Sequence, residues 1–102
     1  MRMDYPRLSA KEAEVLRLLI ANGEMYGLEL VNSSAGQLKR GTVYVTLSRM
    51  AEKGYVESRL EEGAPGGRAP RRSYTATGLG MRAFRASEAG LHAFVNWKGA
   101  WA

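Results

Sequence analysis

The side chains of this chain best suited to chemistry are cations, six of which fall into three sets. Lys39 and Arg40 precede an apolar pattern of helical period, while Arg68, Arg71 and Arg72 lie in or beside a stretch rich in glycine and proline. Cations so placed reach phosphate oxygens, and arginine on a loop also reaches into a narrow minor groove. Arg49 shares a helical face with Thr42, Val45 and Ser48, where its guanidinium can fork onto a guanine edge. Lys39 and Arg40 are expected where that helix begins, an unfavourable place for cations beside the positive end of the helix dipole. A phosphate reverses the sign, because it gains backbone N–H groups and two basic side chains at once. The plain alternative for all three sets is a solvated basic surface.

Little else points to catalysis. Cysteine is absent and His92 is the sole histidine, which removes thiolate metal sites, cysteine nucleophiles and disulfides together. The carboxylates Glu12, Glu14, Glu52, Glu57, Glu61 and Glu62 are expected on solvent faces or on a hairpin, with no base and nucleophile paired among them. No phosphate-binding loop and no metal-ligand spacing is present, so neither an enzyme nor a resident cofactor or metal is expected. His92 reads as a surface or contact residue.

Fifteen Lys and Arg stand against ten Asp and Glu, a net charge of +5, with an isoelectric point near 9.9. Such a balance attracts polyanions, and nucleic acid, an acidic protein and a membrane surface would all answer to it, so placement of the charges must decide. With 102 residues, 45% of them hydrophobic, one folded domain is expected. Met1 to Arg7 lacks the apolar core of a signal peptide, and no run approaches the roughly 20 apolar residues that span a bilayer. A soluble, cytoplasmic protein without a membrane partner is the expectation.

The elements that must carry these cations follow from period and punctuation. Ser9 and Glu12 have the S-x-x-E spacing of a capping box, and Ala13, Leu16, Leu19 and Ile20 follow at helical spacing, so a first helix is predicted from Ser9 to Ala21. Asn22 and Gly23 end it, and Tyr26, Leu30 and Val31 mark a shorter second helix. Ser33 to Gly36 break the chain before a third helix whose apolar face is Val43, Leu47, Met50 and Ala51, closed by Gly54. From Tyr55 the period changes to two, through Val56, Ser58 and Leu60 and back through Arg72, Tyr74 and Ala76, which predicts a β-hairpin tipped by residues 63–70. Thr77 can cap a last helix carrying Met81, Phe84, Leu91, Phe94 and Val95.

Three helices followed by a hairpin give a mainly α fold, a winged helix-turn-helix over residues 1–76 with a C-terminal dimerisation helix and tail over 77–102. In that layout the third helix enters the major groove and the hairpin flanks it, so double-stranded DNA becomes the expected partner. The C-terminal stripe exceeds what so small a domain can cover, and a second copy of the chain is the simplest cover for it. The competing reading keeps the fold but uses the basic face to hold an acidic protein.

The sequence also resembles the short members of the PadR-like regulators over nearly its whole length. Met25-Tyr26-Gly27-Leu28-Glu29-Leu30 looks like their second-helix signature; Gly41-Thr42-Val43-Tyr44, then Leu47, Met50, Gly54 and Tyr55, look like their third-helix block. Tyr74, Ala76, Thr77 and Gly80 follow their strand-to-helix junction. The resemblance implies a repressor that binds a pseudo-palindromic operator as a homodimer, with the C-terminal helix forming much of the dimer contact. It further implies that Tyr44 helps anchor the phosphate backbone, beside the residue-level alternative of an aromatic packed at the core edge. Where relatives commonly have a small or capping residue and a proline, this chain has Lys39 and Arg40. For some relatives flat aromatic effectors are implied; Trp97 and Trp101 can stack on one, or simply close the dimer contact or lie on a tail.

Overall fold

The computed structural model describes residues 7–63, 66–67 and 69–87. In these, helices α1 (Ala10–Asn22), α2 (Gly27–Ser33), α3 (Val43–Glu52) and α4 (Gly78–Ala86) combine with strands β1 (Met25–Tyr26), β2 (Val56–Glu61) and β3 (Arg71–Ala76). The expected mainly α winged helix is what forms, and the starts of the first and last helices rest on the chemistry anticipated for them. Ser9 accepts from the Glu12 N–H at 3.1 Å while Glu12 accepts from the Ser9 N–H at 2.9 Å, closing the capping box. Thr77 accepts from the Gly80 N–H at 2.9 Å and so caps α4.

The core gathers one face of every helix over the sheet. Val15, Leu16 and Leu19 of α1 meet Leu30 of α2, Val43, Leu47 and Met50 of α3, and Val56 and Tyr74 of the hairpin. Leu38, between α2 and α3, is equally buried. It is held there by Ser34, whose hydroxyl accepts from the Leu38 N–H and donates to the Val31 carbonyl, both at 2.9 Å. Ala51, expected on the apolar face of α3, is exposed.

That buried Leu38 corrects the start of the third helix. The chain must return from the core to the surface before it can coil, so residues 40–42 form a turn and α3 opens at Val43 with Thr42 as its cap. The Lys39 carbonyl accepts from the Thr42 and Val43 N–H groups at 3.1 and 2.9 Å. Lys39 and Arg40 therefore stand ahead of the helix rather than in its first turn, and the dipole conflict expected for them is weaker than the sequence suggested.

Strand β1 was not expected. Met25 pairs with Tyr74 and Tyr26 with Ser73, giving an antiparallel sheet in the order β1-β3-β2. Two paired residues tie the entry of α2 to the middle of β3. The docking of α4 needs Gly80, because a Cβ there would lie 2.0 Å from the Tyr55 carbonyl oxygen.

Two carboxylates expected in solvent are buried. Glu14 pairs with Arg17 at 2.7 Å, and Glu12 also accepts from Lys53 Nζ at 2.8 Å, which links α1 to the end of α3. Burial pushes the Glu12 carboxyl up, but hydrogen bonds from Lys53 and Ser9 and the charge of Lys53 outweigh it and hold the group below its ordinary range. Of the stripe predicted for the last helix, Met81 and Phe84 are half-buried, with Phe84 packed against the core. Leu91, Phe94 and Val95 lie outside the described residues, as do His92, Trp97 and Trp101.

Candidate nucleic-acid interface

Helix α3 buries Val43, Leu47 and Met50 at i, i+4 and i+7, which turns Thr42, Val45, Ser48 and Arg49 outward. All four are exposed, Val45 by 54%, although its isopropyl group would be expected to seek cover. An apolar side chain among hydroxyls and a guanidinium suits a surface that reads thymine methyl groups beside hydrogen-bonding edges. Arg49 sits in the last turn of α3, where the helix dipole favours a cation. Lys39, Arg40 and Arg49 are exposed and form no ion pair among the described residues.

Tyr44 lies at one edge of this face, 45% exposed. Its ring packs over Gly27 so closely that a Cβ at that position would come within 2.6 Å of Cε1 and 2.9 Å of the hydroxyl oxygen. Glycine at the first residue of α2 thus lets the ring settle against the helix, and half of the phenol stays open to solvent. Both sequence readings of Tyr44, packed ring and presented hydroxyl, are compatible with this placement.

The hairpin forms the other flank. Register pairs Leu60 with Arg72 and Glu61 with Arg71, so these adjacent arginines leave opposite faces of β3. Arg72 donates to Ser58 Oγ at 3.0 Å. Arg71 lies over the Tyr26 ring, 4.3 Å from its centroid, close enough for a cation–π contact. The Tyr26 hydroxyl in turn donates to Glu61, a bond that pushes the phenol above its ordinary pKa. Glu24 adds to this set, accepting from Arg59 at 3.0 Å and from the Ser73 hydroxyl at 2.6 Å. Arg68 lies outside the described residues.

Between the two flanks is a cavity of about 470 Å³ lined by Tyr26, Gly27, Leu28, Glu29, Asn32, Tyr44, Leu60, Pro70, Arg71, Arg72 and Tyr74. Of the sequence-predicted site residues, Tyr44, Arg71 and Arg72 share this wall. Lys39, Arg40 and the exposed stripe of α3 are not part of its lining. Tyr26, Glu24 and Arg59 were missed as residues that set the hairpin's position. Their contacts span 35 residues for Tyr26 with Glu61 and for Glu24 with Arg59, and nothing short of the β1–β3 pairing brings them together.

Among the described residues no group of three or more His, Cys, Asp or Glu could hold a metal ion. No described helix is long and apolar enough to cross a membrane.

A helix-turn-helix with a solvent-facing second helix, flanked by an antiparallel hairpin, defines a winged-helix DNA-binding protein. Comparison with known sequences narrows the class. The model of the transcriptional regulator PadR-like family matches residues 15–86, and the chain belongs to that family. Among solved structures it is similar to a PadR family transcriptional regulator from Eggerthella lenta DSM 2243, with 29% identity, a TM-score of 0.65, and 88% of this chain and 79% of that one covered. It is also similar to a PadR family regulator from Clostridium difficile R20291, with 26% identity, a TM-score of 0.63, and 76% and 81% covered. The PcaV regulator of Streptomyces coelicolor, solved with its natural ligand, shares the fold at 18% identity and a TM-score of 0.67, with 93% and 63% covered. No curated protein gives a match.

Proposed function

We propose that this PadR-like regulator is a repressor that binds a pseudo-palindromic operator sequence-specifically as a homodimer. The observation that carries the reading is the exposed α3 face of Thr42, Val45, Ser48 and Arg49, with Lys39 and Arg40 exposed ahead of the helix and Arg71 and Arg72 exposed on the hairpin. Thr42, Val45, Ser48 and Arg49 are assigned to base edges. Lys39, Arg40, Tyr44, Arg68, Arg71 and Arg72 are assigned to phosphate, with the hairpin arginines also able to enter a minor groove.

A two-fold dimer would set two such helices one helical turn apart, about 34–36 Å, and so select two inverted half-sites. The dimer contact is assigned to Met81 and Phe84 of α4 together with Leu91, Phe94 and Val95. Sedimentation as a monomer at micromolar concentration would argue against it. Trp97 and Trp101 either close that contact or offer indole faces to a flat aromatic effector. A change in intrinsic fluorescence with planar aromatic compounds would favour the effector; the ligand-bound PcaV shares only the fold and lends the idea no residue.

Selection of bound duplexes from a random pool tests the reading as a whole. Recovery of paired inverted half-sites is expected, and loss of reporter expression from a promoter carrying them would identify repression. Equal retention of every sequence, or tighter and salt-sensitive capture of an acidic protein instead of duplex, would sink it.

A further inference from the structure

In a duplex the major and minor grooves are divided by a sugar–phosphate strand, so a protein that sets a helix in one groove and a hairpin in the next must straddle that strand. The cavity of about 470 Å³ lies between the two parts of this chain that would do so, with Tyr44 of α3 and Gly27 and Leu28 of α2 on one side and Leu60 and Arg72 of the hairpin on the other. Its two walls have the same make-up. On the hairpin, register sets Leu60 directly opposite Arg72, so an aliphatic side chain and a guanidinium stand side by side on one face. On the helical wall, Tyr44 packs over Gly27, the residue before Leu28, which again brings a polar group, the phenol hydroxyl, beside an aliphatic one. Leu60 is 54% and Leu28 44% exposed, so both present apolar surface to this space.

A strand of DNA alternates in the same way, an anionic phosphate followed by a deoxyribose whose surface is largely carbon. Donors and charge suffice for the phosphates, but the two leucines answer only to the sugars. Arg71 and Arg72 line the cavity against one carboxylate, Glu29, so its charge favours an anionic occupant. Arg72 uses one nitrogen on Ser58, and a guanidinium carries five N–H donors, so it keeps donors for a phosphate. We infer that this cavity seats the sugar–phosphate strand dividing the two grooves, with Leu28 and Leu60 packed on deoxyribose between phosphates held by Tyr44 and Arg72. The inference rests on the proposed function, which sets α3 and the hairpin in adjacent grooves, and adds to it two residues that neither carry charge nor read a base. Such contacts raise affinity for every duplex equally and leave its salt dependence untouched.

That combination of effects is the test. In the full-length protein, Leu28→Ala and Leu60→Ala are each expected to lower affinity about fivefold, for a mixed-sequence duplex and for one recovered by selection alike. Neither should alter the slope of affinity against salt, whereas Arg72→Ala should flatten it by about one unit. Leu60→Met keeps the apolar surface and should bind as the native chain does. Hydroxyl radicals cleave at deoxyribose and so read the contact directly. The native chain should protect a short run of sugars beside the guanine shielded by α3, and the double variant Leu28→Ala with Leu60→Ala should expose those sugars while the guanine stays shielded. Unaltered sugar protection in the double variant, affinity within about twofold of native, or a loss of affinity matched by a loss of thermal stability would overturn the inference. If the native chain bound selected duplexes with a steep salt slope and the leucine variants did so equally well, the proposed function would stand and only the strand seat would be lost. If it bound no duplex, both would fall together.

Discussion

Tyr44 and Gly27 illustrate how much one pair of residues can fix. The ring lies where a Cβ on residue 27 would have to be, so Gly27→Ala must push Tyr44 away or move α2. Overpacking of this kind costs about 1–3 kcal/mol. Urea denaturation of Gly27→Ala is expected to show that loss, and most of it should vanish when Tyr44 is first replaced by Ala, since the two changes share one contact. Additive losses would mean that the close approach is not the cause. At the same scale, Arg49→Ala is expected to cost about 1–3 kcal/mol at one base pair and relax preference there. Arg68→Ala should weaken all duplexes alike. Binding to a set of single-base operator variants distinguishes the two behaviours.

Among the elements, α1 depends on groups far apart in sequence. Its capping box is local, and Ser9→Ala should lower stability by about 1 kcal/mol. The Glu12–Lys53 pair instead joins α1 to the end of α3 across 41 residues. Because Glu12 is held below its ordinary range when folded, the unfolded chain binds the proton more readily. The stabilisation is therefore present above the ordinary glutamate pKa of about 4.3 and is lost as pH falls through the lower, folded-state value. Thermal unfolding of the native chain and of Lys53→Met should differ most above that pH and converge in acid. A difference that grew on acidification would contradict the assignment. The hairpin is positioned in the same long-range manner, since Tyr26 and Glu24 hold its tip-side half through Glu61, Arg71, Arg59 and Ser73.

On the scale of the whole molecule, the net charge of +5 and its placement govern how binding responds to salt. Duplex affinity should fall linearly on a log–log plot, with a slope of about −0.9 for each phosphate neutralised. Lys39→Ala should flatten that slope by about one unit, whereas Arg17→Ala, a change at a cation paired with Glu14 on α1, should leave it unaltered. Anisotropy titrations across a salt series read both. Equal slopes for the native chain and Lys39→Ala would remove that lysine from the interface.

Much of this architecture is written in local pattern. The capping box of Ser9 and Glu12, the stops at Gly23 and Gly54, the seven-residue spacing of Val43 and Met50 and the Thr77 cap each depend on residues within a turn or two of one another. Such signals survive in the sequence because helix geometry fixes which neighbours meet. The exposed face of α3 was legible for the same reason, as the complement of its buried one. What the sequence left open depended on contacts between distant segments: the two-residue strand β1, the burial of Leu38 that delays α3 to Val43, the pairing of Glu12 with Lys53, and the cavity walled by Tyr26, Tyr44 and Tyr74. No period encodes these, because a β pairing or a shared cavity is defined by where segments far apart in the sequence are brought together, and only packing around one core decides that.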